Sequence, residues 1–287
     1  MACSLLSAGA CFVSCGSDSH SKTFVEENQV RTITFDQFTV TNGVIGETKA
    51  ESAPATNYLK VVDVCGGQIC NEIDRNKETD ADVLATLSLE MAYGHHDLYF
   101  VCSQNPWDSF SANDLTLTWD SKTAHLSDAW GVHVGLDVNA STPASQSVSM
   151  DRLVAYLQMV IEDAIPVGIS SFDCTLAGGS WTLNLANMSG SMAGVVDRKV
   201  DLPESKIGAT GVTVGLAVFV PEGTTKATSY QFSALDKDGA VVASRIFSNV
   251  PIEANHYTTF TGNFFSGESG FQFSVNDSWG TPNVIKY

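Results

Sequence analysis

Cysteines, histidines and paired carboxylates are the residues in this chain that could carry chemistry, and one cysteine stands out. Cys15 closes the apolar opening Ala2–Val13 and follows Phe12-Val13-Ser14. An uncharged apolar run of that length reads as an export leader, since a membrane span needs about 20 apolar residues. A small residue followed by cysteine at its end has the form of a bacterial lipobox. Cys15 is therefore the expected acylation site, with Cys11 after Ala8-Gly9-Ala10 as the second candidate. The polar run Gly16–Ser21 suits a tether. The pattern departs from the usual one in lacking a base ahead of the apolar run; the first base is Lys22.

The other reactive side chains are poorly arranged for catalysis. His95 and His96 are adjacent, and adjacent strand residues point to opposite faces, so the pair is not expected to chelate one ion. The His-Glu-x-x-His spacing of a zinc hydrolase is missing. Cys65 and Cys70 flank Gly66-Gly67, a two-residue hairpin turn. That register sets Cys70 opposite Asp63 and holds the two sulfurs diagonally, about 7–8 Å apart, too far for an unstrained disulfide. Cys65, Cys70, Cys102 and Cys174 are thus expected as free thiols. Asp236-Lys237-Asp238-Gly239 reads as a turn rather than a calcium loop, because the glycine comes early and Phe247 stands where a closing glutamate belongs. Glu162-Asp163 and Asp80/Asp82 are carboxylate pairs with nothing to place them in one cleft. The tryptophans, Trp107, Trp119, Trp130, Trp181 and Trp279, read as core or sandwich-edge residues, with a sugar platform as the alternative. No catalytic, cofactor-binding or metal-binding residue is expected.

The elements that carry these residues are strands. Only 16% of the 287 residues are charged, against roughly 25% in an average globular protein. Thr32–Phe35, Leu115–Trp119 and Trp181–Leu185 alternate cleanly, and further strands are expected at 58–64, 83–90, 97–102, 132–138, 212–220, 228–235, 240–248, 257–264 and 270–275. Met150–Ile161 reads as one long buried strand. Gly262-Asn263 reads as a turn pair with positive φ. Thirty-two acids against fifteen bases leave a net charge of −17, which excludes the basic surface that nucleic acid or anionic lipid demands. Small polar residues around Pro143 suggest a linker over 140–147. The expected architecture is all-β, a sandwich or barrel in each of two domains, with a leader at 1–15, a tether at 16–31, and domains at 32–139 and 148–287.

Within that frame several phrases resemble the fimbrillin family, outer-membrane lipoproteins of Gram-negative anaerobes that assemble into fimbriae, and in particular its anchor and minor-subunit branch. Tyr93–Val101 is similar to the family's strand entry with Gly-x-His, and Leu126–Trp130 to its Leu-x-Asp-x-aromatic element. Met150–Ala155 resembles the strand that opens the family's second domain, and Asp163-x-Ile165-Pro166 its ending. Asn249-Val250-Pro251-Ile252, followed by Asn255, Thr258, Phe260, Gly262 and Asn263, is the most specific phrase. The resemblance spans about residues 58–280. It implies two tandem transthyretin-like β-sandwich domains and no catalysis or cofactor. It also implies a structural role in adhesion beside other fimbrial subunits, anchored to the outer membrane by lipid. It further implies that a protease cut near the N-terminus frees a groove that another subunit's C-terminal strand fills. Arg31, just ahead of Thr32–Phe35, is the candidate cut site. The tail Gly280–Tyr287 holds Pro282 and makes a poor donor strand, which places this subunit at a filament end. The competing reading is a surface lipoprotein that binds glycan.

Overall fold

Alternation turns into strand along nearly the whole chain in the computed structural model, which describes residues 29–40, 56–119, 125–266, 271–276 and 282–286. The first half holds β1 (Val30–Val40), β2 (Tyr58–Cys65), β3 (Gln68–Asn76), β4 (Leu87–Ala92), β5 (Gly94–Ser103), β6 (Ser109–Ser111), β7 (Thr116–Thr118), β8 (Ala129–Val138) and β9 (Ser145–Arg152). The second holds β10 (Val154–Ile161), β11 (Ile169–Gly179), β12 (Thr182–Asn184), β13 (Ser189–Gly190), β14 (Gly194–Asp201), β15 (Val212–Phe219), β16 (Lys226–Asp236), β17 (Val241–Pro251), β18 (Tyr257–Gly262), β19 (Gln272–Asn276) and β20 (Pro282–Lys286). One turn of 3-10 helix, Glu204–Lys206, interrupts the strands.

The strand order repeats. In the first half β4-β1-β9 faces β3-β2-β5-β8; in the second β15-β10-β18, extended beyond β18 by β19 and β20, faces β14-β11-β16-β17. Each first strand has an antiparallel neighbour, β4 or β15, and a parallel one, β9 or β18. Ile33, Phe35, Leu89 and Met150 of one layer pack on Leu59, Phe100, Cys102 and Trp130 of the other to make the first core. Leu157, Met159 and Phe260 meet Phe172, Leu176, Tyr230 and Phe232 to make the second. In each case, strands with one buried face have closed two sheets over it. The all-β sandwich character expected from composition is what is found.

Two short insertions break the repeat, and they pair with each other. β6-β7 lies between β5 and β8, and β12-β13 lies between β11 and β14. Thr116–Thr118 runs antiparallel to Thr182–Asn184, so the order β13-β12-β7-β6 forms a small sheet across the two halves. Beneath it Leu117, Trp119, Leu183 and Phe219 form a third buried cluster with Val62, Tyr99 and Leu153. Trp119 N–H donates to the Trp181 carbonyl at 3.0 Å.

The expected linker is not one. Asn139–Thr142 is a turn held by its own side chains, Thr142 Oγ1 accepting from Asn139 N–H at 2.8 Å. Ser145–Met150 already pairs with β1. Met150–Ile161 is two strands rather than one: Leu153 leaves the ladder, and its N–H turns to the Ala129 carbonyl at 2.9 Å. The passage between sandwiches therefore falls at a single buried leucine. An apolar residue there continues the hydrophobic pattern, which is why periodicity joined the two strands.

Candidate assembly surface

The two halves differ at one seam. In the first, β8 reaches across to β9 through Trp130↔Arg152 and Gly131↔Asp151. Arg152 pairs with Asp128 at 3.0 Å and lies over the Trp130 ring. The equivalent strands of the second half are β17 and β18. There β17 pairs with β16 alone among the described residues. Its eleven residues carry one charge, Arg245, and expose Val241, Val242 and Ile246. Behind it opens a groove of about 320 Å³ lined by Ile246, Phe247, Val250, Pro251, Phe260 and Phe271. An unpaired edge over an apolar groove is the geometry that accepts an added strand: backbone groups supply hydrogen bonds and the groove takes alternate side chains.

The chain that leaves β18 is held in place next to this edge. Asp163, from the Asp-x-Ile-Pro phrase, accepts the N–H groups of Phe264 at 2.8 Å, Phe265 at 2.7 Å and Ser266 at 2.9 Å. Arg245 donates to the Phe264 carbonyl at 2.8 Å and lies over the Phe264 and Phe271 rings. Gly262 closes β18 opposite Ile161. The chain is turned after it by the Asp163 carboxylate rather than by a Gly-Asn pair. The left-handed residues of this stretch are instead Asn249 (φ 53°) and Asn255 (φ 63°), both from the most specific phrase of the sequence.

Cys15 lies outside the described residues. Arg31 is inside β1, paired with Met91 and half-buried, its guanidinium donating to the Ala140 carbonyl at 2.5 Å. Beyond it Thr32–Phe35 stays in register with β4, and β9 flanks β1 from Thr34 onward. A cut at Arg31 would take the first residues of β1 with the segment ahead of it and leave the rest of the strand paired with β4 and, from Thr34, with β9.

The remaining candidates are structural. His95 and His96 do point apart. His96 is buried, its Nδ1 2.7 Å from Asp63 and its Nε2 2.9 Å from the Ala92 carbonyl. His95 lies on the outer face, 2.8 Å from Asp137. Gly66 and Gly67 make the expected turn at φ 58° and 78°. A bulge after Asp63, however, pairs Asp63 with Asn71 and Val64 with Ile69, leaving Cys70 outside the ladder instead of opposite Asp63. All four described cysteines are free, and burial pushes the Cys102 and Cys174 thiols up to about 12, so neither is an activated nucleophile. Asp236 closes its turn by accepting from Asp238 and Ala240 N–H at 2.9 and 2.8 Å. Trp119 and Trp130 are fully buried and Trp107 and Trp181 partly so; no described tryptophan offers an open ring face. Among the described residues no group of three or more His, Cys, Asp or Glu side chains could hold a metal ion.

Paired sandwiches of this topology recur in solved structures of Bacteroides proteins. The structure shares its fold with a candidate polysaccharide-binding protein of Bacteroides thetaiotaomicron, at TM-score 0.56 and 10% identity, covering 90% of this chain and 98% of that one. It also shares it with a candidate adhesin of Bacteroides ovatus, at TM-score 0.52 and 8% identity over 82% and 88%. A weaker likeness, on which nothing below depends, is to the fimbrial anchor protein Mfa2 of Porphyromonas gingivalis, at TM-score 0.48 and 9% identity over 86% and 98%. No curated protein matches the chain in sequence. The chain belongs to DUF6562, a family of unknown function, whose model matches residues 112–285.

Proposed function

We propose that this chain is a non-catalytic subunit of a cell-surface fimbria, joined to its neighbours by strand addition and held at the outer membrane by lipid on Cys15. The β17 edge above its apolar groove carries this reading: the first sandwich joins β8 to β9, whereas in the second β18 takes β19 and, among the described residues, β17 pairs with β16 alone. The fimbrillin-like phrases support it, as does a fold shared with a candidate adhesin. The tail supports a terminal or anchoring place in the filament. Its strand, Pro282–Lys286, is five residues long and already folded onto β19, so it is a weak donor. Cleavage at Arg31 would release the subunit from its lipid without vacating the β1 position. For the glycan-binding alternative, Trp119 and Trp130 are buried, and Trp107 and Trp181 are partly so.

Ile246 tests the reading, being 65% exposed and on the groove's rim. Ile246→Lys sets a charge where an incoming strand must dock and leaves the sandwich core untouched. Cells carrying it should display the protein at the surface yet lose it from sheared filaments. Incorporation equal to that of the unaltered protein would remove the groove from the account.

A further inference from the structure

The turn end of the β2–β3 hairpin brings together two cysteines that neither the cores nor the seam uses. Cys65 closes β2, Gly66-Gly67 make the turn, and Gln68 opens β3 opposite Cys65. In an unbroken ladder Cys70 would face Asp63 and the two sulfurs would lie on a diagonal. The bulge breaks that ladder. Val64 pairs with Ile69, the next pair is Asp63 with Asn71, and Cys70 is left between them outside the ladder. A bulge re-aims the side chain it carries. Here Cys70 Sγ lies 3.8 Å from the Cys65 carbonyl oxygen and 3.6 Å from that of Gln68. It points back toward the turn, within hydrogen-bonding reach of the Cys65 thiol. Cys70 is exposed and Cys65 half-buried, so a small disulfide reaches the pair from solvent.

We infer that Cys65 and Cys70 join in a disulfide that staples the hairpin when the chain meets a disulfide donor. The donor is the oxidant. One cysteine, as its thiolate, attacks a donor sulfur and expels the first donor thiolate. The other cysteine thiolate attacks the protein sulfur of that mixed disulfide, forms the Sγ–Sγ bond and expels the second. Two S–H bonds and the donor S–S bond break, one protein S–S bond forms, and the two electrons and two protons end on the donor's thiols. The proposed surface location is an environment in which such bonds persist. Burial, the Cys65 thiol and the Asp63 carboxylate push the Cys70 thiol up to about 11. The reduced pair therefore lacks the stabilised thiolate that makes an oxidoreductase disulfide easy to reduce, and the staple is structural. β3 is the outermost strand of its sheet and, among the described residues, pairs with β2 alone. A bond across the bulge pins its register, and with it the hydrogen bond from Asn71 Nδ2 to Asp63 Oδ2 at 2.8 Å. The sequence hid the pair because the register read from the turn omits the bulge.

The test is peptide mapping of the folded full chain after equilibration with oxidised glutathione. The sample is quenched in acid and alkylated with N-ethylmaleimide in denaturant, without reductant. Trypsin cuts after Lys60 and Arg75, so both cysteines fall in one peptide, residues 61–75, apart from Cys102 and Cys174. That peptide is expected two hydrogens lighter than its reduced form, with no alkyl group; after dithiothreitol it should take two. A Cys65→Ser chain, shown to fold by circular dichroism, should leave Cys70 to take one alkyl group or one glutathione. The melt of the unaltered oxidised chain should drop on reduction, and that of Cys65→Ser should not. Two alkyl groups on the unreduced peptide, glutathione retained on Cys70, or a bond from either cysteine to Cys102 or Cys174 overturns the pairing. A melt of the unaltered chain indifferent to reductant overturns the staple.

Discussion

Buried charge in this protein falls into two kinds that respond differently to mutation. His96 and Asp63 are 1% and 0% exposed, and Asp63 also accepts from Asn71 Nδ2 at 2.8 Å. Removing the imidazole strands a carboxylate with no water. His96→Ala should therefore cost about 3–5 kcal/mol in denaturant unfolding. Lys60 is equally buried, 2% exposed over the Phe110 ring, but its partners Glu72 and Asp74 are 42% and 54% exposed. They regain water when the lysine goes, so Lys60→Met should cost under about 1 kcal/mol, the exposed-pair value. Equal losses at both sites would refute the distinction. At Asn255 the φ of 63° predicts that Asn255→Val destabilises by about 1–3 kcal/mol while Asn255→Gly is tolerated. His95 is a pH reporter. The hydrogen bond from Asp137 raises its imidazole above 6.5. That interaction stabilises the fold fully below pH 6.5 and is lost as pH rises through the raised value. Proton NMR in metal-free buffer should show His95 titrating above 6.5, and Asp137→Asn should bring it down; an unmoved midpoint would contradict the pairing. The two left-handed asparagines were present in a recognisable phrase, yet the phrase alone pointed to Gly262. Period-two patterning reports which face a residue takes and says nothing of φ.

At the level of elements, the proposed assembly rests on the seam between β17 and β18. An 11-residue edge with one charge lacks the lysines and prolines that usually blunt an edge until Pro251 ends it. The sequence showed this strand plainly through the Asp236–Gly239 turn and the alternation after it. It could not show that the edge is open, because that depends on β18 pairing with β10 across about a hundred residues. The same limit explains the mistaken linker. Local polarity around Pro143 is real, but β9 is claimed by β1, and parallel pairing between strands so far apart leaves no local signature. Where register mattered, a single bulge after Asp63 moved Cys70 out of the ladder.

The whole molecule is a repeated sandwich with one seam sealed and one unsealed. The paired insertions Thr116–Thr118 and Thr182–Asn184 tie the halves together over their own buried cluster. Tandem sandwiches were legible from strand density and turn spacing; the insertion sheet was not, since each of its strands is three residues or fewer. The proposed role makes the chain part of a surface filament, at one end of it. Immunogold electron microscopy of cells with and without the gene tests this most directly. Gold is predicted at filament bases or tips in the parent and nowhere in the deletion strain, whose filaments should be altered in attachment or length. Gold spread over the cell body with filaments unchanged by the deletion would contradict a fimbrial role, and gold along the whole shaft would contradict the terminal position.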